Sequence, residues 1–203
     1  MPGPAEKAGE ALARIREQQP LVHSITNYVV MNFTANVLLA MGASPVMAHA
    51  REEVEEMVSL AGALVLNIGT LSQEWIRSMQ EAGKRATALQ KPIVLDPVGA
   101  GATSFRTKSA KALIDQTRIT LIRGNASEIL SLRSEHFQTK GVDSIHSVDE
   151  AAETAERLAR ELQTCLAITG PVDLVTNGRQ TLRVHNGHPL MARITGTDRK
   201  SVV

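Results

Sequence analysis

The sequence predicts an α/β fold: a mostly parallel β-sheet covered by helices on both faces, with a small antiparallel hairpin at one edge. Apolar runs at ALVLNIG (63–69), PIVLD (92–96), ITLI (119–122) and CLAITG (165–170) carry no polar alternation, the pattern of strands buried on both faces. Segments with helical apolar spacing separate them, and strand–helix alternation is the signature of a parallel sheet. Residues 173–184 break that rhythm, because two short strands flank Asn177 and Gly178, a pair that favours a hairpin turn.

In chain order, Ala8, Leu12 and Ile15 recur at helical spacing from Ala5 to Gln19, and Pro20 stops the pattern. LVHSITN (21–27) follows as an extended segment. Val30, Phe33, Val37 and Met41 then line one face of a helix that Gly42 ends and that Thr26 or Asn27 would cap. SPVMAHA (44–50) reads as a short strand and loop. Beyond it, Arg51 to Glu56 form a solvated helix face, with Val54, Met57, Val58 and Ala61 turned inward. Ser72 caps a helix in which Trp75, Met79, Ala82, Ala86 and Leu89 keep a four-three rhythm. After residue 128 the chain is polar from 134 to 147, and Ala151, Ala155, Leu158 and Leu162 mark one more helix.

Composition narrows the function classes. The 203 residues suffice for one domain with a full core, and 43% hydrophobic with 21% charged residues is ordinary for a globular protein. The 22 basic and 21 acidic side chains leave a net charge of +1, so no field favours nucleic acid or an anionic membrane. With aromatics at only 2%, base-stacking platforms are not expected either. No run reaches membrane-spanning length. One cysteine and no export signal predict a reducing, cytoplasmic compartment.

The chemistry concentrates in KPIVLDPVGAGATSF (91–105), where Asp96 ends a buried strand and Gly99, Ala100 and Gly101 follow in a loop that lets backbone approach a ligand. In open α/β sheets ligands bind at that edge. A second strand ends in Arg123, Gly124, Asn125, Ala126, Ser127 and Glu128. Arg123 could hold a phosphate, and Asp96 and Glu128 a hard cation. Plainer roles stand beside these: Asp96 precedes a proline and could cap a turn, and Glu128 lies three residues after Asn125, where a capping box would place it. The glycine loop lacks the lysine of a Walker motif and does not complete a dinucleotide fingerprint. Cys165 reads as core, and the histidines show no metal-ligand spacing.

Taken together, HSITNYVVMNFTANVLLAMGASPVMAHA, LVLNIGTL, IVLDPVGAGAT, LIRGNASEI, GVDS and ITG resemble the hydroxyethylthiazole kinase family of thiamin biosynthesis, from about Leu21 to Thr197. The resemblance implies a ribokinase-like fold, homotrimers with active sites between subunits, and transfer of the ATP γ-phosphate to the hydroxyethyl group of a methylthiazole. It places Met47, Gly196 and Asn27 against the thiazole, Arg123 and Thr169 against ATP, and Asp96 and Glu128 near Mg2+. Other heteroaromatic alcohols, such as a hydroxymethylpyrimidine, are alternative substrates, and a non-catalytic thiazole- and ATP-binding or assembly subunit is an alternative function.

The pattern departs from the family at the end. Where the family continues TGTGC, this chain reads Thr195, Gly196, Thr197, Asp198, and it closes on Arg199 to Val203. The family's second glycine and its cysteine are missing, so no catalytic side chain is assigned. Asp198 would bring a negative charge to a turn expected to receive phosphate. The domain is therefore expected over 1–197, incomplete at its C-terminus, with 198–203 a non-family tail. Asp-Arg-Lys-Ser-Val-Val is the translation of a common sequencing-adapter string, so the tail is expected to be an assembly artefact and the chain as written to be inactive.

Overall fold

The computed structural model describes residues 2–132, 148–186, 188, 190 and 193. The polar 134–147 segment, Gly196 and the 198–203 tail lie outside those residues. Seven helices and eight strands occur among the described residues: α1 (Pro4–Gln18), β1 (Leu21–Ile25), α2 (Met31–Met41), β2 (Ser44–Val46), α3 (Val54–Leu60), β3 (Ala63–Asn67), α4 (Gln73–Ala88), β4 (Ile93–Asp96), α5 (Ser104–Gln116), β5 (Leu121–Asn125), α6 (Ala126–Ser131), α7 (Val148–Glu161), β6 (Cys165–Thr169), β7 (Asp173–Thr176) and β8 (Thr181–Val184).

The strands form one sheet in the order β2-β1-β3-β4-β5-β6-β7-β8. Pairing is parallel from β2 through β6 and antiparallel for β6–β7 and β7–β8. The predicted sheet and its hairpin edge are thus present. Because β2 lies on one side of β1 and β3 on the other, the order reverses at β1, and such a switch point opens a crevice at the carboxyl ends of the strands.

The apolar runs fill the core as predicted. Leu64, Leu66, Ile93, Leu95, Ile122 and Leu166 are fully or almost fully buried, and Met79, Ala82 and Ala86 of α4 pack over them. Ser72 caps α4 by accepting from Trp75 N.

Three local expectations are corrected, and a fourth element is refined. The sequence starts β5 at Ile119, whereas the observed strand runs Leu121–Asn125, so Arg123 and Asn125 are strand residues. Neither Thr26 nor Asn27 is the residue that caps α2: the cap position is Val30, and Asn27 instead accepts from Val29 N and Val30 N to form the turn that precedes it. The β7–β8 connection has four residues rather than two, with Thr176 opposite Thr181. There Asn177 Oδ1 accepts from Arg179 N and Gln180 N, and Gly178 takes a left-handed φ of 82°. Finally, α2 buries none of its residues within the chain, and Phe33, Val37 and Met41 are exposed. Its apolar stripe was read correctly as a face, but nothing in the described chain covers it.

Candidate active site

Strand order turns separate sequence motifs into one row of polar groups. At the carboxyl edge, β1, β3, β4, β5 and β6 deliver Asn27, Asn67, Asp96, Arg123 and Thr169 in spatial succession. The register fixes their level, with Asn67 opposite Asp96 and Asn125 opposite Thr169.

From Asn27 to Asp96 the row is hydrogen-bonded. Asn27 Nδ2 donates to Asn67 Oδ1 at 2.7 Å, and Asn67 Nδ2 donates to Asp96 Oδ2 at 2.7 Å. Asp96 Oδ2 also faces Arg123 Nη1 at 3.8 Å. That separation is too long for a direct hydrogen bond but close enough for attraction between charges. Both amide orientations are fixed by backbone donors: Asn27 Oδ1 accepts from Val29 N and Val30 N, and Asn67 Oδ1 accepts from Gly69 N at 2.9 Å. Reversing either amide would set an NH2 group against an N–H.

Glu128, only 3% exposed, performs the capping role that its spacing predicted and a second role that it did not. Its Oε2 accepts from Asn125 N at 2.9 Å, closing the capping box of α6, while Oε1 accepts from Gly99 N at 2.8 Å. One carboxylate thereby joins the β5–α6 junction to the glycine loop after β4. Gly99 has φ 74°, a left-handed conformation in which a side chain would be strained.

A further residue organises the same loops. Arg106 on α5 donates through Nη1 to Ile68 O and Val98 O, and through Nη2 to Gly69 O, at 2.8–3.0 Å. Neither Asn67 nor Arg106 was singled out from the sequence. Asn67 carried a usable signal, since it ends the apolar run ALVL as Asp96 ends IVL. A lone arginine on a polar helix carried none.

Asn27 and Met47, which the resemblance places against the thiazole, fall at the switch-point end. Asn27 is 6% exposed, and Met47 is half-buried in the loop after β2. That loop is held from below by the fully buried His23, whose Nε2 pairs with Ala48 O at 2.7 Å. Accepting carbonyl geometry puts the proton on Nε2, and Nδ1 is buried with no hydrogen-bond partner. Burial accordingly pushes the His23 pKa below its ordinary value, against smaller raising effects from the Ala48 carbonyl and from Glu53. From above, Trp75 lies 4.9 Å from the Tyr28 ring and 5.0 Å from the His49 ring, both tilted.

The charges on this edge fit Mg2+ carried by a phosphate ligand. Among the described residues no group of three or more His, Cys, Asp or Glu gathers into a metal cage. Two acids, one beside an arginine and one immobilised by backbone N–H groups, suit a cation that keeps waters and takes phosphate oxygens. No helix of the described residues is long and apolar enough to cross a membrane.

Comparison with known proteins identifies the family. The hydroxyethylthiazole kinase family matches residues 12–200. A hydroxyethylthiazole kinase of Desulfotalea psychrophila is 65% identical over 190 residues, covering 94% of this chain and 70% of the relative. One from Methanococcus maripaludis is 55% identical over 187 residues, covering 92% and 70%. The solved hydroxyethylthiazole kinase of Pyrococcus horikoshii superposes with a TM-score of 0.84 at 52% identity, over 93% of this chain and 70% of that one. A ribokinase-like superfamily protein from Enterococcus faecalis, at 14% identity and TM-score 0.57 over 87% of this chain and 66% of its own, shares the fold. This chain belongs to the hydroxyethylthiazole kinase family.

Proposed function

We propose that this protein transfers the γ-phosphoryl group of ATP to the hydroxyethyl group of 4-methyl-5-(2-hydroxyethyl)thiazole. The observation that carries the reading is the continuous polar row from Asn27 to Arg123 along one sheet edge, in a chain 65% identical to a hydroxyethylthiazole kinase. Arg123 and Thr169 hold the nucleotide phosphates; Asp96 and Glu128 supply negative charge towards Mg2+ and its waters; Asn27, Met47 and Gly196 border the thiazole. Bound Mg2+ would neutralise charge on the phosphate oxygens during transfer. The alcohol oxygen bonds to the γ-phosphorus as the bond to the β–γ bridging oxygen breaks, ADP departs and the hydroxyl proton passes to a phosphate oxygen or to water, with no covalent enzyme intermediate.

The exposed apolar face of α2, with Phe33, Val37 and Met41, supports self-association, and the homotrimer is the assembly that the family resemblance implies. A biosynthetic kinase with one cysteine suits the cytoplasm.

The test is a substrate panel on the protein expressed from its complete native reading frame. Mg2+-dependent phosphorylation of the thiazole is expected. Phosphorylation of a hydroxymethylpyrimidine but not the thiazole would overturn the reading.

A further inference from the structure

We infer that Asn67 is a positioning residue of this kinase, setting the Asp96 carboxylate and the Asn27 turn through opposite ends of one amide. The inference rests on the thiazole kinase reading above. Asn67 is only 8% exposed, and its side chain is fully directional. Oδ1 receives Asn27 Nδ2 at 2.7 Å and Gly69 N at 2.9 Å, which leaves Nδ2 to face Asp96 Oδ2 at 2.7 Å. Gly69 N fixes which atom is oxygen, so the donor always points at the carboxylate. Gly69 O is in turn held by Arg106 Nη2, which prevents the loop from drifting away from the amide.

This geometry divides the amide into two separable functions. The oxygen end shapes the thiazole side, because Asn27 passes the order on to Val29 N and Val30 N. The nitrogen end holds Asp96 Oδ2 and so sets the orientation of the carboxylate that the thiazole kinase reading assigns to Mg2+ and its waters. Hydrogen bonds to a charged acceptor are the stronger kind, and removing the donor frees the carboxylate to rotate towards Arg123. A residue with merely structural importance would not discriminate between the two substrates.

Two substitutions separate the ends. Asn67→Asp is isosteric, keeps an acceptor for Asn27 and Gly69, and sets a second carboxylate against Asp96, so that the two acids share a proton that competes with Mg2+. Its thiazole KM should stay within about threefold of wild type, while the Mg2+ concentration for half-maximal rate rises tenfold or more. Asn67→Ala should raise both. Equal changes in all parameters, or an unchanged Mg2+ requirement in N67D, would overturn the inference. Wild-type protein labelled with 15N-asparagine gives a readout that needs no variant: the Asn67 Hδ2 resonances should shift on adding Mg-ADP, and unmoved resonances would also overturn it. Wild-type protein that does not phosphorylate the thiazole would instead refute the underlying function and not the role of this amide.

Discussion

Gly69→Ala is the most demanding test of the site's packing. A Cβ at Gly69 would lie 2.6 Å from Asn27 Nδ2 and 2.9 Å from both Asn27 Cβ and Cγ. Rotation of the Asn27 amide would relieve the first contact but not the one to Asn27 Cβ, so main chain must shift at 27 or 69. The shift breaks the Asn27–Asn67 hydrogen bond. A buried polar group left unsatisfied costs about 1–3 kcal/mol, and overpacking a filled site costs roughly another 1–3 kcal/mol. A total of about 2–6 kcal/mol is a large part of the ~5–15 kcal/mol that stabilises a typical domain. For a chain of this size it corresponds to a melting drop of roughly 4–24 °C.

The assay is thermal unfolding followed by circular dichroism, with Gly9→Ala in exposed α1 as the control. A Cβ at Gly9 meets nothing within 4 Å, so that substitution should be neutral or stabilise by up to about 1 kcal/mol. Placing Gly69→Ala in an Asn27→Ala background removes two of the three close contacts and should shrink its additional cost. Melting of Gly69→Ala at or above wild type would refute the packing described for this end of the sheet.

Glu128→Gln replaces one acceptor of two backbone N–H groups with a donor and should cost about 1.5–3 kcal/mol, measured as a lower urea midpoint; an unchanged midpoint would contradict its bridging role. His23 has a folded pKa below its unfolded value of about 6.5, so the unfolded state binds its proton first and stability falls as pH drops through that value, by at most about 1.4 kcal/mol per pH unit. His23→Gln should lack this component in urea titrations between pH 8 and 5.5, and an identical slope would exclude His23 as its source. Arg123→Gln should raise the ATP KM by tenfold or more with little change in thiazole KM; the reverse pattern would move Arg123 to the wrong side of the reaction. Phe33→Glu with Val37→Glu should shift the assembly towards monomer in light scattering, whereas an unaltered mass would locate the subunit interface elsewhere.

Asp96 and Arg123 were legible because an apolar run that stops at a polar group marks where a buried strand reaches the sheet edge, whereas Thr169 entered only through the family resemblance. The Asn125–Glu128 spacing likewise announced the capping box. Local chemistry does not report partners from distant segments. Asn67 and Asp96 are 29 positions apart and meet only because β3 and β4 are neighbours, and Arg106 reaches Ile68 and Gly69 only because the fold brings α5 to the loop after β3.

The sequence by itself determined the alternation of strand and helix and the hairpin edge, since hydrophobic period and turn residues act within a few positions along the chain, while the kinase family was legible in the resemblance of its motifs. Tertiary structure alone decided strand order, and with it the Asn27–Asn67–Asp96–Arg123 row and the second partner of Glu128 at Gly99. It also decided that the apolar stripe of α2 faces outward. A helical period defines a stripe, but which stripe is buried depends on what the rest of the fold packs against it.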